Sequence, residues 1–366
     1  MKTIVISAVN LRKGGTLTIL RQCLEYLSLL GSNPEYRIIA IVHKKELADY
    51  PNIEYIEKPN IIKGWCRRLW CEYVTMYKIS KKIQPINLWL SLHDTTPRVI
   101  AEKRAVYCQT SFPFLDLRLS DLKYNYKTVL FSLFTKYAYR INIKKNNILI
   151  VQANWLRESF SKMFNFPENK IIVFPPKTKI LVSKNIRSNN DVYTFIYAAT
   201  PDCHKNFEYL CRAAQMLETE LKDNSFRVII TISGEECSYS KFLWEKFGRK
   251  VKALDFIGYV NQNELYSLYQ EADCLIFPSR VETWGLPISE FSNTEKPMLL
   301  ADLPYAHETS LGCRNVAFFD IKDYTILKGQ MKRLMEGDYS FLNDQKKNII
   351  KEPACYSWDD LFKKLI

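Results

Sequence analysis

Two carboxylates, Glu282 and Glu290, stand eight residues apart in the stretch 274–308. The apolar run before Glu282 predicts a buried strand, and Pro287 is typical of the first turn of a helix, because proline has no N–H to leave unpaired there. Backbone amides at the start of that helix would face outward, and such amides bind a phosphate or a sugar hydroxyl. An acid near a helix start is also favourable on dipole grounds alone, so Glu290 has a structural interpretation too. The amides concerned are those of Trp284, Gly285 and Leu286.

Glycine is scarce, with 11 in the chain, and several glycines directly follow predicted strands. Ligands of open α/β sheets bind beyond the carboxyl ends of the strands. A glycine at that edge lets the backbone turn sharply or approach a ligand closely, and an ordinary turn remains the alternative at each single position. The positions are Gly14, Gly15, Gly234, Gly258 and Gly285.

The elements that must position these residues follow from hydrophobic periodicity. Apolar, β-branched segments alternate with helical ones, and this alternation predicts parallel sheets covered on both faces. Strands are predicted at 3–7, 36–42, 88–92, 105–107, 147–151, 193–198, 227–232, 252–256, 274–277 and 298–301, and helices at 17–30, 155–164, 206–221, 263–271 and 287–293. Two such sets, joined near 176–191, predict an α/β fold of two Rossmann-like domains facing across a cleft, 1–182 and 183–345.

Composition and charge narrow the class of protein. The 366 residues suit two domains, and the hydrophobic fraction of 47% is that of a soluble globular chain. The net charge of +13 is uneven, because residues 1–182 hold 29 basic and 13 acidic side chains (+16) and residues 183–366 hold 23 and 26 (−3). The two halves are therefore expected to meet different partners. Ten irregularly spaced cysteines, no leader peptide and no apolar run of 18 residues predict a cytoplasmic protein without disulfides or a membrane span.

The stretch 282–290 reads ETWGLPISE, and the stretch 301–308 reads ADLPYAHE. Together they resemble the donor-binding segment of the retaining glycosyltransferases of family 4, which have the GT-B fold. The resemblance implies that Glu290 holds the ribose hydroxyls of a nucleotide and that Glu282 hydrogen-bonds the transferred sugar. It also implies that the amides at 284–286 contact the sugar and the diphosphate.

Other donor-side segments resemble the same family. The backbone of Gly258, Tyr259 and Val260 corresponds to the loop that reads the nucleobase, and Gly14 and Gly15 correspond to the Gly-Gly loop that closes on the diphosphate. Thr200 and Lys205 lie in the segment that corresponds to the phosphate-binding one. The arginine that usually precedes the lysine is absent, so Lys205 is expected to be the main cation on the diphosphate, with His204 as a second candidate. The segment 346–366 is expected to contain a helix that crosses back to the first domain.

On the acceptor side, Gln109 stands in a loop where the family often has histidine. Glutamine hydrogen-bonds but cannot carry a proton. His93 and Asp94 follow a predicted strand, and we interpret them as groups that face the cleft and orient the acceptor hydroxyl. The alternatives are that Asp94 is a cap and His93 a loop residue, and that the activity is weakened.

Two basic stretches, 61–83 and 123–146, interleave lysine and arginine with aromatic residues. Such a composition suits an anionic membrane surface. It also suits nucleic acid, but the chain has no nucleic-acid reader motif, so no nucleic-acid partner is expected. The structural alternative is that the aromatic side chains pack in the core and the cations are only solvated at the surface.

The resulting hypothesis is a retaining glycosyltransferase that moves a hexose from a nucleotide-diphosphate sugar to a lipid-linked saccharide in surface-polysaccharide or lipopolysaccharide biosynthesis. No DxD-like acidic cluster follows a predicted strand, so we expect neither a metal nor another cofactor. The protein is expected to work in the cytoplasm, peripherally on the inner face of the cell membrane. The alternative is a catalytically weakened GT-B relative that acts as a membrane-associated partner or scaffold.

Overall fold

The computed structural model describes residues 1–62, 64–177, 192–222, 225–347 and 350–366. The chain divides into two compact units. The first unit comprises Met1–Pro113, Leu133–Pro176 and Ile350–Ile366, and the second comprises Phe114–Ser132 and Lys177–Ile349. The predicted boundaries place 114–132 in the first domain, whereas its contacts assign this segment to the second unit. The predicted start of the second domain, residue 183, lies outside the described residues.

The first unit is built on a seven-stranded parallel sheet of order β3-β2-β1-β4-β5-β6-β7. Its central strands read as continuous apolar runs, because both faces of a parallel sheet are covered. The strands are β1 (Lys2–Ala8), β2 (Tyr36–Val42), β3 (Glu54–Glu57), β4 (Leu88–Ser91), β5 (Lys103–Cys108), β6 (Ile148–Val151) and β7 (Ile171–Val173).

The second unit has a six-stranded parallel sheet of order β10-β9-β8-β11-β12-β13. Since β8 and β11 are neighbours although they are not consecutive, the strand order reverses between them, which is where open α/β sheets bind ligands. The strands are β8 (Tyr193–Tyr197), β9 (Phe226–Ile230), β10 (Leu254–Phe256), β11 (Cys274–Phe277), β12 (Met298–Ala301) and β13 (Val316–Phe319). The predicted α/β class with two parallel, Rossmann-like sheets is confirmed.

The α-helices are α1 (Gly14–Leu30), α2 (Trp65–Trp70), α3 (Met76–Ile83), α4 (Leu119–Arg140), α5 (Asn154–Phe164), α6 (Phe207–Leu221), α7 (Ser238–Leu243), α8 (Gln262–Glu271), α9 (Leu286–Phe291), α10 (Pro304–Thr309), α11 (Tyr324–Met335) and α12 (Trp358–Leu365). A π-helical segment, Cys71–Thr75, joins α2 to α3. Helix α4 is interrupted at Asn125, whose φ of −152° and ψ of 68° are not helical. Within the described parts of the chain, no helix combines the length and apolarity that a bilayer crossing requires.

The last helix, α12, packs on the first unit. Trp358, Leu361 and Phe362 are buried in the same apolar cluster as Ile4 and Ile6 of β1. The helix begins with a serine cap, in which the Ser357 hydroxyl accepts from the Asp360 amide at 3.0 Å. The core of the first unit is therefore closed by residues from both ends of the chain.

Candidate functional site

In the second unit, the loops after β8 and β11 are fastened to each other at the reversal of strand order. The Tyr197 hydroxyl donates to the carbonyl oxygen of Lys205 at 2.8 Å and lies 2.9 Å from Ser279 Oγ. Asn206, in the left-handed region at φ 60°, donates from Nδ2 to the Pro278 carbonyl oxygen at 3.1 Å. These bonds hold two loops that are some 70 residues apart in sequence in one rigid arrangement.

The junction of these loops holds an ion pair between two residues that the sequence assigned to the donor site. Lys205 Nζ lies 2.6 Å from Glu282 Oε1, and the side chains keep 16% and 13% of their exposure. A charge-assisted hydrogen bond of this length is strong, and it fixes both side chains. Each group still has a face toward solvent, so an anion can reach the ammonium and a hydroxyl can reach the carboxylate.

The predicted Trp284–Leu286 segment forms the turn into α9. Gly285 has φ 93°, a conformation that glycine adopts without strain, and a Cβ there would lie 3.2 Å from Ile288 Cδ1. The Trp284 indole donates to Ser289 Oγ at 2.9 Å, and the Thr309 hydroxyl donates to the Trp284 carbonyl oxygen. Pro287 lies in the first turn of α9, as predicted. The helix itself is short, spanning Leu286–Phe291.

Glu290, the predicted ribose-binding acid, is half-buried in α9. Burial raises the pKa of its carboxyl group, while a hydrogen bond from Tyr266 acts in the opposite direction. The Tyr266 hydroxyl lies 3.5 Å from Glu290 Oε1, so this contact is weak. Tyr266 belongs to α8, which begins with an Asn261–Glu264 capping box directly after the predicted base-reading loop.

The remaining donor-side predictions lie at the same carboxyl edge of the second sheet. Gly258 has φ 78°, and the neighbouring Tyr259 side chain is 88% exposed, so it is available to a ligand. Val260 is half-buried beside it. The Thr200 hydroxyl, by contrast, donates to Asp202 Oδ2 at 2.7 Å, within its own loop.

His204, the second cation candidate, does not carry that charge. Burial lowers the pKa of its imidazole well below the usual value, with Lys205 and Arg280 acting in the same direction. The ring is therefore neutral near pH 7, and this interpretation is wrong. Arg280 is itself buried, and its guanidinium lies 2.7 Å from the carboxylate of Asp121, the acid at the start of α4.

In the first unit, Gly14 and Gly15 open α1 directly after the loop that follows β1. Gly14 has φ 62°, and a Cβ built on either glycine meets nothing within 4 Å. The space beside both glycines is therefore open. With 17 residues, α1 is long enough for its first turn to attract an anion.

Asp94 and Gln109 meet at the carboxyl ends of β4 and β5. The Asp94 carboxylate accepts from the amides of Gln109 and Thr110, the latter at 3.1 Å. Burial raises the pKa of Asp94 to about 6, and the amides oppose that shift. Gln109 Nε2 donates to the Leu92 carbonyl oxygen at 2.7 Å, while its Oε1 is buried and has no hydrogen-bond partner among the described residues. The predicted cap therefore stands beside a buried carbonyl oxygen that has no hydrogen-bond partner among the described residues.

His93 does not face a ligand as predicted, because its side chain is almost completely buried. Its Nε2 lies 3.1 Å from Ser7 Oγ, and its Nδ1 lies 3.1 Å from Glu72 Oε1 and 3.2 Å from Thr95 Oγ1. Burial lowers the pKa of His93 to about 3 and raises that of Glu72 to about 8. Near pH 7 both groups are therefore neutral, and His93 is not an exposed proton carrier.

Sequence reasoning missed Glu72, although a signal was available. Glu72, Met76 and Ser80 recur every four residues and share one buried helix face, so an acid stands where an apolar residue is expected. Glu72 belongs to the π-helical segment Cys71–Thr75, and such segments are frequent at functional sites. Arg68 lies one turn before Glu72 and binds Asn10. With the Asn10 amide oxygen turned toward Arg68, Nε and Nη2 of the guanidinium each donate to it at 3.1 Å.

The described residues contain no group of three or more His, Cys, Asp or Glu side chains that could hold a metal ion. Among the described residues of the second unit, the cation in contact with Glu282 is the Lys205 ammonium.

Residues 179–352 match the model of the family "Glycosyl transferases group 1". The chain also superposes over its whole length on 94% of the lipopolysaccharide outer core galactosyltransferase WaaB, with a TM-score of 0.62 and 11% identity. The predicted resemblance to a GT-B glycosyltransferase is confirmed.

Two curated relatives are similar to part of this chain. It is 24% identical over 235 residues to an uncharacterized glycosyltransferase of Methanocaldococcus jannaschii, and that alignment covers 60% of this chain and 58% of the relative. It is 23% identical over 172 residues to O-antigen chain mannosyltransferase B of Escherichia coli, covering 43% of each chain. The chain thus spans about half the length of these two relatives.

Proposed function

We propose that this chain is a glycosyltransferase that transfers a hexose from a nucleotide-diphosphate sugar to a lipid-linked saccharide in surface-polysaccharide or lipopolysaccharide biosynthesis. The observation that carries the proposal is the Lys205–Glu282 ion pair at the fastened carboxyl ends of β8 and β11. It lies inside the stretch that matches the group 1 family. The O-antigen and lipopolysaccharide enzymes among the similar proteins support the biosynthetic setting.

Donor binding in this proposal uses Lys205 for the diphosphate, Glu290 for the ribose and the backbone of Gly258–Val260 for the base. A diphosphate next to the ammonium exchanges one charged partner for another, so binding costs little desolvation of the lysine. The amides at 284–286 add hydrogen-bond donors. This set supplies positive charge through protein groups, so we propose that transfer proceeds without a metal or another cofactor.

We propose transfer with retention of configuration on one face of the sugar. The bond from the anomeric carbon to the diphosphate oxygen breaks, and the acceptor oxygen forms its bond to the anomeric carbon on the same face. The departing phosphate oxygen takes the acceptor's proton, so no carboxylate of the protein has to attack. Glu282 holds the sugar by a hydrogen bond, and Lys205 stabilises the negative charge on the leaving group.

On the acceptor side, we propose that Asp94 and Gln109 contact the saccharide, with the buried His93 taking no direct part. The buried Oε1 of Gln109 is an acceptor with no described partner, and it suits a sugar hydroxyl. A lipid-linked acceptor implies work at the cytoplasmic face of a membrane, which the basic first half of the chain supports. The names of the similar transferases do not favour the alternative of a weakened, non-catalytic relative.

A two-part experiment tests the proposal. Thermal shift against UDP, GDP, CDP and dTDP should raise the melting temperature with one of them, because a ligand that binds only the folded state stabilises it. Donor-dependent release of that nucleoside diphosphate, with a polyprenyl-linked saccharide as acceptor, should then fall about 100-fold in Glu282→Gln, with nucleotide binding within about threefold.

Glu336→Gln, a change of the same chemistry on the exposed end of α11, should behave as wild type. Anomeric analysis of the product separates retention from inversion, and EDTA should leave the rate unchanged. Full transfer by Glu282→Gln would contradict the assigned role, and no shift with any of the four nucleotides would contradict the donor class.

A further inference from the structure

The second half of α4 presents apolar side chains to solvent. After the interruption at Asn125, the helix runs to Arg140, and its exposed residues recur every three or four positions. Such spacing places them along one face of a helix. These side chains are Tyr126 (57% exposed), Leu130 (46%), Leu133 (45%), Phe134 (62%), Tyr137 (55%) and, just beyond the helix, Ile141 (46%).

The inward face of the same helix is partly polar. Ser132 and Thr135 are buried together with Val129 and Tyr139. The small hydroxyl residues thus lie inside while phenylalanine and leucine lie outside, which reverses the usual arrangement of a helix on a soluble domain. Contiguous apolar surface of this kind marks an interaction site, whereas single exposed apolar residues are ordinary.

Basic side chains border the apolar face on both sides. At 100° per residue, Lys127 projects on one flank, and Lys136 and Arg140 project on the other. Lys136 Nζ lies 5.2 Å from the Tyr137 ring, and the Phe134 and Tyr137 rings are 6.5 Å apart. No acidic residue occurs from 122 to 157. An apolar face with cations at its margins fits a layer of anionic lipid, in which rings enter the acyl boundary and cations meet headgroup phosphates.

The other basic stretch, 61–83, does not form such a face where the structure describes it. Ile79 and Ile83 pack against the core cluster that contains Met76, and Tyr77 is half-buried against the Arg98 guanidinium, 4.5 Å from its ring. Trp70 is exposed at 64%, but Tyr73 and Tyr77 are half-buried. Lys63 lies outside the described residues.

We propose that the face formed by Tyr126, Leu130, Leu133, Phe134, Tyr137 and Ile141, named here the α4 face, docks the protein on an anionic phospholipid surface. The inference rests on the proposed function only for its biological reason, namely access to a lipid-linked acceptor. Its physical basis is the exposed apolar side chains and their cationic margins. A second copy of this chain would bring like-charged margins together, which disfavours self-association through the same face.

Vesicle co-sedimentation tests the proposal without donor or acceptor, so its outcome does not depend on whether transfer occurs. Vesicles of phosphatidylcholine with 30% phosphatidylglycerol should bind the 366-residue chain, and pure phosphatidylcholine should bind it weakly. Phe134→Ser with Tyr137→Ser should reduce the partition coefficient at least tenfold. Lys127→Gln, Lys136→Gln and Arg140→Gln together should reduce it about 100-fold on anionic vesicles, and added salt should weaken wild-type binding.

The matched control replaces three exposed cations of α3, Lys78→Gln, Lys81→Gln and Lys82→Gln, and should bind within about twofold of wild type. Unchanged melting temperatures and nucleotide shifts would show that the variants are folded. Equal binding by the α4 variants and wild type overturns the proposal, as does loss of binding in the α3 control alone. A wild-type dimer that the Phe134/Tyr137 variant disperses, without vesicle binding by either, also overturns it in favour of a second copy.

Discussion

Each sheet places polar groups at its carboxyl edge, but the ionisable pair is charged at one edge and neutral at the other. In the second unit, Lys205 and Glu282 keep 16% and 13% of their side-chain exposure and are placed as an ion pair. In the first unit, His93 and Glu72 each keep 1%, and burial drives both toward their neutral forms. A charge in contact with solvent can change partners when a ligand arrives, whereas a fully buried pair avoids the cost of charge altogether.

The largest expected effect tests whether the Lys205 charge is available to a ligand. Lys205→Met should weaken binding of the preferred nucleoside diphosphate by about 10- to 100-fold, because one charge-assisted hydrogen bond is lost. Binding of the corresponding nucleoside, which has no phosphate, should change by less than about twofold. Isothermal titration of both ligands provides the comparison. Equal losses for both ligands would mean that Lys205 shapes the site without touching phosphate.

The buried pair should instead appear in the dependence of stability on pH. Glu72 has a folded pKa of about 8 against an ordinary 4.5, so the folded state holds an extra proton and stability falls as pH rises from 4.5 to 8. His93 has a folded pKa of about 3 against 6.5, so stability rises from pH 3 to 6.5. Together the two groups predict that the free energy of unfolding rises up to about pH 4.5, stays level to pH 6.5 and falls up to pH 8. The slope is at most about 1.4 kcal/mol per pH unit.

Urea unfolding of wild type and Glu72→Gln across pH 3 to 8 checks this profile. Glutamine keeps the shape of the side chain but does not titrate, so the fall above pH 6.5 should disappear and the rise should continue through 4.5 to 6.5. The variant Glu25→Gln, at an exposed position of α1, serves as the control. An unchanged fall above pH 6.5 in Glu72→Gln would show that another group causes it.

The smallest expected effect compares the glycines of the two edges. Gly285→Ala forces an alanine to φ 93° with its Cβ 3.2 Å from Ile288, and should cost about 1 to 3 kcal/mol of unfolding free energy. Gly15→Ala meets open space without a positive φ, in the first turn of α1, and should be neutral or slightly stabilising. Equilibrium denaturation measures the unfolding free energy of both variants. Equal losses in the two variants would contradict the expected difference between the two glycine positions.

Central strands were predictable from the sequence, and edge strands were less so. The predictions at 36–42, 274–277 and 298–301 coincide with β2, β11 and β12, because each contains a continuous buried apolar run. The strands that escaped prediction, β3, β7 and β13, all lie at sheet edges, and the edge strand β10 is shorter than predicted. An edge strand has one neighbour and can be short or polar, so it leaves a weak pattern.

The candidate site was likewise only partly predictable from the sequence. Lys205 and Glu282 were assigned to one site by resemblance, but their contact joins residues 77 positions apart and depends on the order of β8 and β11. The burial of His93 was not predictable from its own neighbours. Its ring contacts Ser7 of β1 and Glu72 of a π-helical segment, both of which are distant in sequence. Local periodicity does not contain such a tertiary arrangement.

The closing of the first unit by α12 has a consequence for synthesis on the ribosome. The residues that complete this core, Trp358, Leu361 and Phe362, emerge only after the whole second unit has been translated. At about 5 to 20 residues per second, the stretch 177–349 delays them by roughly 10 to 35 s. During that interval the nascent first unit lacks part of its apolar cover, while most of the second unit emerges as one uninterrupted stretch. The second-made unit therefore has the opportunity to finish folding first.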